Sequence, residues 1–484
     1  MRPLRLIGCS LAVLSCTRIN PGYADSGTDA GAATEGRGKP SGTTLSSGGS
    51  SSQTHGEGEG EGTTEPPDTE PPAEWVFTDD EAHEFEAGQL DHVYWSDQEA
   101  VELEPSMRLG TLRSRVFTTG GHPARLTELE WTPPAPYGIG LSNPDVDEVE
   151  GYDFGGTSSV GLELLLRFEL AADTVEVGDL VPDTSFAGAH GTLGGTALAV
   201  TRGVFGRAVS NPGDGFVEHA QTQLAPGTNE FTWTAWYRMD GCTGASIVSF
   251  DAPDNNDNGT SSVWLVCNNN IGCSGAPDPD HGIFEAVAFA IANDGSRQGP
   301  RVCGLAEIDD DQWHHVAVRM NHSGGGSRLS LFVDGVPDES AREDSPSQHD
   351  FAQGPLQDFT TAGNPSPAHT GAGTYDEIAL WDRPLTDDEI RDLHARGAAG
   401  VELRLRACTL EDCSDDPPFL GPAGASGVGF LDSGPDEGHA HALEPSDYVG
   451  IAFQYELRIT RDSAALRSPL IPSVSIVAEP AEED

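Results

Sequence analysis

Lysine is almost absent from this chain. Of 26 basic side chains among 484 residues the only lysine is Lys39, and 78 acidic side chains set the formal net charge at −52. A field of that sign repels nucleic acid and anionic lipid surfaces, so neither is expected as a partner. It suits a solvated acidic surface in a salty or calcium-containing medium. Long apolar runs are missing too: residues 6–14 form a short one, far below the roughly 20 residues that span a bilayer. No G-x-S-x-G elbow and no H-E-x-x-H string occurs, which removes the nucleophile-elbow and zinc-protease readings.

What is present is turn-rich and strand-like. Gly 59 and Pro 34 argue for many turns. Residues 313–338, WHHVAVRMNHSGGGSRLSLFVDGVPD, show the pattern most clearly. Val316, Val318 and Met320 alternate with Ala317 and Arg319, and Leu329, Leu331 and Val333 alternate with Ser330, Phe332 and Asp334. That period of two predicts a hairpin with residues 322–327 as its connection, closed by a tight turn at Asp334-Gly335.

The first residues read as an address. Arg2 and Arg5 precede the apolar run, and Ser15-Cys16 follows it. This resembles a bacterial lipoprotein signal in which Cys16 would carry the lipid, over a signal region of residues 1–24. Leu14 departs from the usual pattern, Leu6-Ile7-Gly8-Cys9 is a second fit, and a cut near Ala24 is the ordinary alternative. Residues 25–74 are Ser/Gly/Thr/Glu/Pro-rich with almost nothing apolar to bury, and are expected to be a disordered tether.

Export fits the cysteines. With Cys9 and Cys16 set aside, Cys242, Cys267, Cys273, Cys303, Cys408 and Cys413 remain, an even number that reads as three disulfides in an oxidising compartment. Cys408 and Cys413, in ACTLEDC, are expected to pair across a turn. The other four allow three pairings, of which Cys267 with Cys273 and Cys242 with Cys303 is preferred. Zinc would need CxxC-type spacings that are absent.

Folded sequence begins near Trp75. Residues 110–138 contain two strand-like runs, and three or four more lie in 400–478. Neither set buries a face alone, since isolated hairpins are marginal. Together they make one sandwich, in two parts at 75–150 and 400–484. The opening Gly110-Thr-Leu-Arg-Ser-Arg-Val-Phe117, with the later strands at 401–406 and 453–457, resembles a β-sandwich module of exported bacterial proteins. The intervening 151–399 is then an inserted domain, which costs little if its ends meet at the surface.

The insert carries four ordered motifs: residues 203–219 (GVFGRAVSNPGDGFVEH), 231–239 (FTWTAWYRM), the 313–338 hairpin, and 375–397 (YDEIALWDRPLTDDEIRDLHARG). They resemble LamG-like jelly rolls of the concanavalin A-like lectin and glucanase fold. The expected class is therefore all-β, a LamG-like jelly-roll sandwich inserted into a second, smaller β-sandwich. In the last motif Thr386 and Glu389 form a capping box, Ile390 and Leu393 face inward, and Gly397 is expected to end the helix.

Members of that family include carbohydrate binders, adhesion modules and hydrolase appendages, so the resemblance leaves function open. Glucanases of this architecture use an E-x-D-x-x-E strand with two acids on one face about 5 Å apart. No such string occurs, and Asp376-Glu377 should point to opposite faces. An enzyme is not expected. The resemblance implies a structural calcium instead, with Asp376 carried over first and Asp214 second as oxygen ligands. Residues 254–259 match only the first half of a calcium loop, because Leu265 stands where a bidentate Glu belongs. Trp233, Trp236, Trp264, Trp313 and Trp381 read as strand core. His314 and His315 alternate across a strand, and His439 and His441 sit in a Gly/Pro/Asp-rich loop read as solvated. The expectation is a non-catalytic protein of the cell envelope, an outer-membrane lipoprotein facing the surface or periplasm. It would touch the membrane through its lipid only and bind a glycan or extracellular protein through its jelly roll.

Overall fold

The computed structural model of the chain describes residues 71–142, 148–219, 230–241, 246–250, 261–268, 283–291, 297–298, 300–323, 326–344, 359–363, 371–432, 434, 439–444, 448–463 and 466–481. Thr69–Asp484 forms one compact unit. It is nearly all sheet and contains two large cores.

The smaller sandwich is built from both ends of the unit. In one sheet Trp75–Asp79 pairs with Val474–Pro480, which pairs with Ala124–Glu130, and that strand takes Ala440–Ala442 and Val449–Gly450 on its other side. In a second sheet the order runs Gln89–Asp91, Leu109–Arg113, Ala452–Arg461, Ala399–Cys408. Both sheets therefore mix strands from the two flanks. Ala399–Cys408 shows why: Val401, Leu403 and Leu405 are buried while Glu402 and Arg404 between them stay partly exposed. Those side chains close on Leu112 and Leu126 from the first flank. Each contributes about 1.5–3 kcal/mol on burial, and neither flank alone supplies the opposing surface.

The inserted sandwich has its own core. Among the described residues its sheets hold nine and ten strands. The central strand Phe231–Asp240 pairs with Asp310–Ser323 on one side and Gly373–Trp381 on the other. Trp233, Tyr237, Val318, Leu331 and Ile378 pack inside. The helix Asp387–Ala398 covers the outer face of that sheet, where Ile390 and Leu393 meet Ala317, Phe332 and Trp381. This second cover explains why Ala317 and Phe332, on the alternate face of their strands, are as buried as their neighbours.

Two expectations are corrected here. The 313–338 hairpin has a shorter connection than residues 322–327. Pairing continues to Ser323↔Gly326, because His322 and Ser327 form a cross-strand hydrogen bond (3.1 Å) and Glu230 accepts the His322 amide (2.9 Å). The Asp334-Gly335 turn is as expected, with positive φ at both residues (50° and 72°). The helix does begin with the Thr386/Glu389 capping box, but it runs through Ala398. Gly397 serves close packing instead: a Cβ there would lie 2.4 Å from Trp236 Cζ2.

Both flanks of the smaller sandwich hold the C-terminal end of the insert. The Gly138 amide donates to the Arg396 carbonyl (2.7 Å), and the Asp462 amide donates to the Ala398 carbonyl (2.8 Å).

Candidate functional site

The strand Gly373–Trp381 carries a bulge at its acidic residues. Trp236 pairs with Asp376 and Thr234 with Ala379, two steps on one strand against three on the other, and Glu377 has φ 43°. Tyr375 and Ile378 both enter the core, so Asp376 and Glu377 both turn outward. The expected opposite-face placement is thus overturned by one extra residue. Neither acid reaches solvent freely, at 0% and 6% exposure. Asp376 Oδ2 accepts the Phe205 amide (2.9 Å) and Glu377 Oε2 the Leu141 amide (3.1 Å). Burial, helped by the neighbouring Glu377 charge, holds the Asp376 carboxyl well above the usual carboxylate range. Burial also raises Glu377, against the pull of Arg167 and Arg396.

Beside this bulge lies the neck joining the sandwiches. Arg396 (2% exposed) binds Glu148 (2%) through both terminal guanidinium nitrogens, each at 3.0 Å. Its remaining donors reach the Ile139 (3.1 Å) and Gly140 (2.9 Å) carbonyls. Glu148 also accepts the Ser142 (2.6 Å) and Thr157 (3.1 Å) amides. Burial pushes Glu148 up, but Arg396 beside it outweighs this and holds it below its ordinary range. The helix period places Arg396 on the face of Ile390 and Leu393, which was the available signal. Nothing in the sequence flagged Glu148 as its partner.

A calcium ion needs six to eight oxygen ligands, about 2.3–2.6 Å away. Asp376 offers one unpartnered buried oxygen, Oδ1; its other oxygen faces a backbone donor. Asp214 is exposed, in the turn after Arg207–Asn211. No group of three or more His, Cys, Asp or Glu among the described residues is arranged to hold a metal. Residues 254–259 lie outside the described residues.

The histidines depart from expectation in part. His439 is 7% exposed rather than solvated. Its Nδ1 meets Asp432 Oδ1 (2.8 Å), and the Tyr152 hydroxyl donates to Asp432 Oδ2 (2.7 Å). His441 stacks on Trp131 at 5.1 Å. Ala440–Ala442 pairs with Ala124–Glu130, and that pairing draws the loop inward. His314 sits between Asp334 (2.9 Å) and Asp310 (3.2 Å), whereas His315 is buried against Trp236 and His394, and burial lowers its pKa to about 3. Trp233, Trp236 and Trp381 are core residues, as expected. Trp313 is partly exposed under the Arg238 guanidinium, and the side chain of Trp264 lies outside the described residues.

Cys408 and Cys413 form a disulfide. Cys303 is also disulfide-bonded, and it flanks Ile283–Ile291 at the same end as Cys267. Cys242, Cys273 and Cys16 lie outside the described residues.

One cleft opens at the neck, with a volume of about 430 Å³. Tyr137 and Phe154 from the entry segments, Arg391, Asp392 and Arg396 from the helix, and Arg467 from the smaller sandwich line it. The Arg467 guanidinium lies 5.8 Å from the Phe154 ring centre.

Against curated proteins the sequence finds no match. Among solved structures it resembles domain 4 of AbnA, a GH43 extracellular arabinanase from Geobacillus stearothermophilus in complex with arabinotriose. Identity is 17%, coverage 48% of this chain and 98% of that one, and the TM-score 0.34. The binding domain of botulinum neurotoxin DC in complex with rat synaptotagmin II gives 12%, 49%, 52% and 0.34. Trypanosoma rangeli sialidase in complex with the inhibitor DANA gives 14%, 52%, 35% and 0.31. The chain thus spans about half of the toxin domain and a third of the sialidase. At these scores the likenesses carry no argument about activity. Residues 211–391, which hold the bulge, the hairpin and the start of the covering helix, match the family model of the Concanavalin A-like lectin/glucanases superfamily.

Proposed function

We propose that this is a non-catalytic binding protein of the cell envelope, exported and lipid-anchored at Cys16, that recognises a glycan or an extracellular protein through its concanavalin A-like domain. The matched family is described by both lectins and glucanases, so site chemistry has to choose. One observation carries the choice. The two acids that the fold brings to one face, Asp376 and Glu377, are sealed beneath the entry segment and the 203–205 turn and bound to backbone amides. A glycosidase needs its acid pair open to the sugar; this pair holds loops in place. The arginine-led apolar leader and the acidic low-complexity tether that follows it support the envelope setting.

The full chain on a glycan array, with reducing-end release from polysaccharides measured in parallel, tests this reading. The expected result is binding to a defined glycan set with no release. Release of reducing ends would return the protein to the hydrolases, and a silent array with no protein ligand would leave a structural envelope component.

A further inference from the structure

Cations are scarce in this chain, 26 against 78 acids, yet Arg391, Arg396 and Arg467 converge on the cleft at the neck. Arg396 is spent on Glu148. Arg391 and Arg467 are exposed. Arg467 makes no ion pair among the described residues, and Arg391 pairs only with exposed Asp388 one turn away (2.5 Å). An exposed pair of that kind is worth about 0–1 kcal/mol, so a ligand can displace it.

The rest of the lining is complementary. The Phe154 ring and buried Tyr137 give an apolar wall. Asp392, partly buried in the same lining and within the field of both arginines, adds an acceptor for hydroxyl groups. A volume of about 430 Å³ suits a small ring-bearing molecule. Guanidinium forks match a planar carboxylate in two-bond geometry, and an aromatic wall takes the apolar face of a pyranose.

We propose that this cleft binds a sugar acid, its carboxylate on Arg391 and Arg467 and its ring against Phe154 and Tyr137. The site lies outside the jelly-roll loops, so it stands or falls separately from the glycan reading above. The long-range field of the chain repels polyanions, which favours a single carboxylate-bearing unit over a charged polymer.

The test is calorimetric titration of the full chain with D-glucuronate, D-glucose and acetate. Glucuronate should bind, with glucose and acetate each at least tenfold weaker. Arg391→Ala and Arg467→Ala should each weaken glucuronate about tenfold, which is about 1.4 kcal/mol. Both residues are exposed, so an unchanged melting curve is the expected control. Arg391→Gln and Arg467→Gln replace either alanine variant that melts early. Three results overturn the site: no heat with glucuronate, glucose or acetate binding as tightly, or wild-type affinity in a normally melting double variant.

Discussion

Arg396→Ala should be the most damaging single change at the junction of the two sandwiches. The substitution strands Glu148 at 2% exposure without its cation and strips donors from the Ile139 and Gly140 carbonyls. Breaking a buried ion pair by removing one partner costs about 3–5 kcal/mol, because the remaining charge is uncompensated. Each carbonyl left bare would add about 1–3 kcal/mol if dry. The vacated space opens onto the cleft, however, and water can reach it. The expected loss is therefore about 3–5 kcal/mol, read by urea unfolding with linear extrapolation. The double variant Arg396→Met with Glu148→Gln should lose less than the sum of the singles, since both charges leave together. The pH dependence has a definite sign. Glu148 is held below its unfolded value of 4.5, so its contribution is present above that pH and is lost as pH falls through the lower folded value. Without Arg396 that depression disappears, so the penalty should shrink between neutral pH and pH about 4. A loss under about 1 kcal/mol, strict additivity of the pair, or a penalty that grows on acidification would refute the argument.

Three further outcomes follow from the same geometry. Asp376→Asn should cost about 1–2 kcal/mol, because burial already disfavours the charged carboxylate and the amide oxygen of asparagine still gives the Phe205 amide an acceptor. Calcium at this carboxylate would instead make the loss match a chelator effect, about 2.7 kcal/mol at a hundredfold excess over Kd, so melting both proteins with and without EDTA separates the two. His219 donates from Nδ1 to the Ala189 carbonyl (2.8 Å), and burial lowers its pKa from 6.5 to about 4. The unfolded chain therefore takes up its proton first on acidification, and stability attributable to His219 should fall between pH 6.5 and 4. In His219→Gln that part of the slope, at most about 1.4 kcal/mol per pH unit, should vanish from the difference curve. Cys16→Ser should release the protein from membranes, because acylation supplies the affinity that an anionic chain lacks; unchanged membrane fractionation would count against the anchor.

Much of the fold was legible because it rests on local alternation. Val316, Val318 and Met320, or Val401, Leu403 and Leu405, declare their strands through a period of two, and the Asp334-Gly335 turn through residues suited to positive φ. The Thr386/Glu389 cap is equally local. The insertion was legible for another reason: two incomplete strand sets flank a complete one, and unpaired strands must find partners. The candidate site was much less so. The bulge at Glu377 reverses the face of one acid, yet any residue sequence around it would read as a regular strand.

The chain by itself therefore determined its class, its acidic charge, the Asp334-Gly335 turn and the Thr386/Glu389 cap, through neighbours a few positions apart or simple sums, and its two-part sandwich, through strand sets that need partners. Only the tertiary structure decided what the polar groups do. Glu148 and Arg396 are 248 positions apart, and Tyr152 and Asp432 are 280. Whether a carboxylate is a ligand, a loop clamp or half of an ion pair depends on which donors surround it and how much water remains. Those surroundings arise from contacts across the whole chain, which no local pattern records.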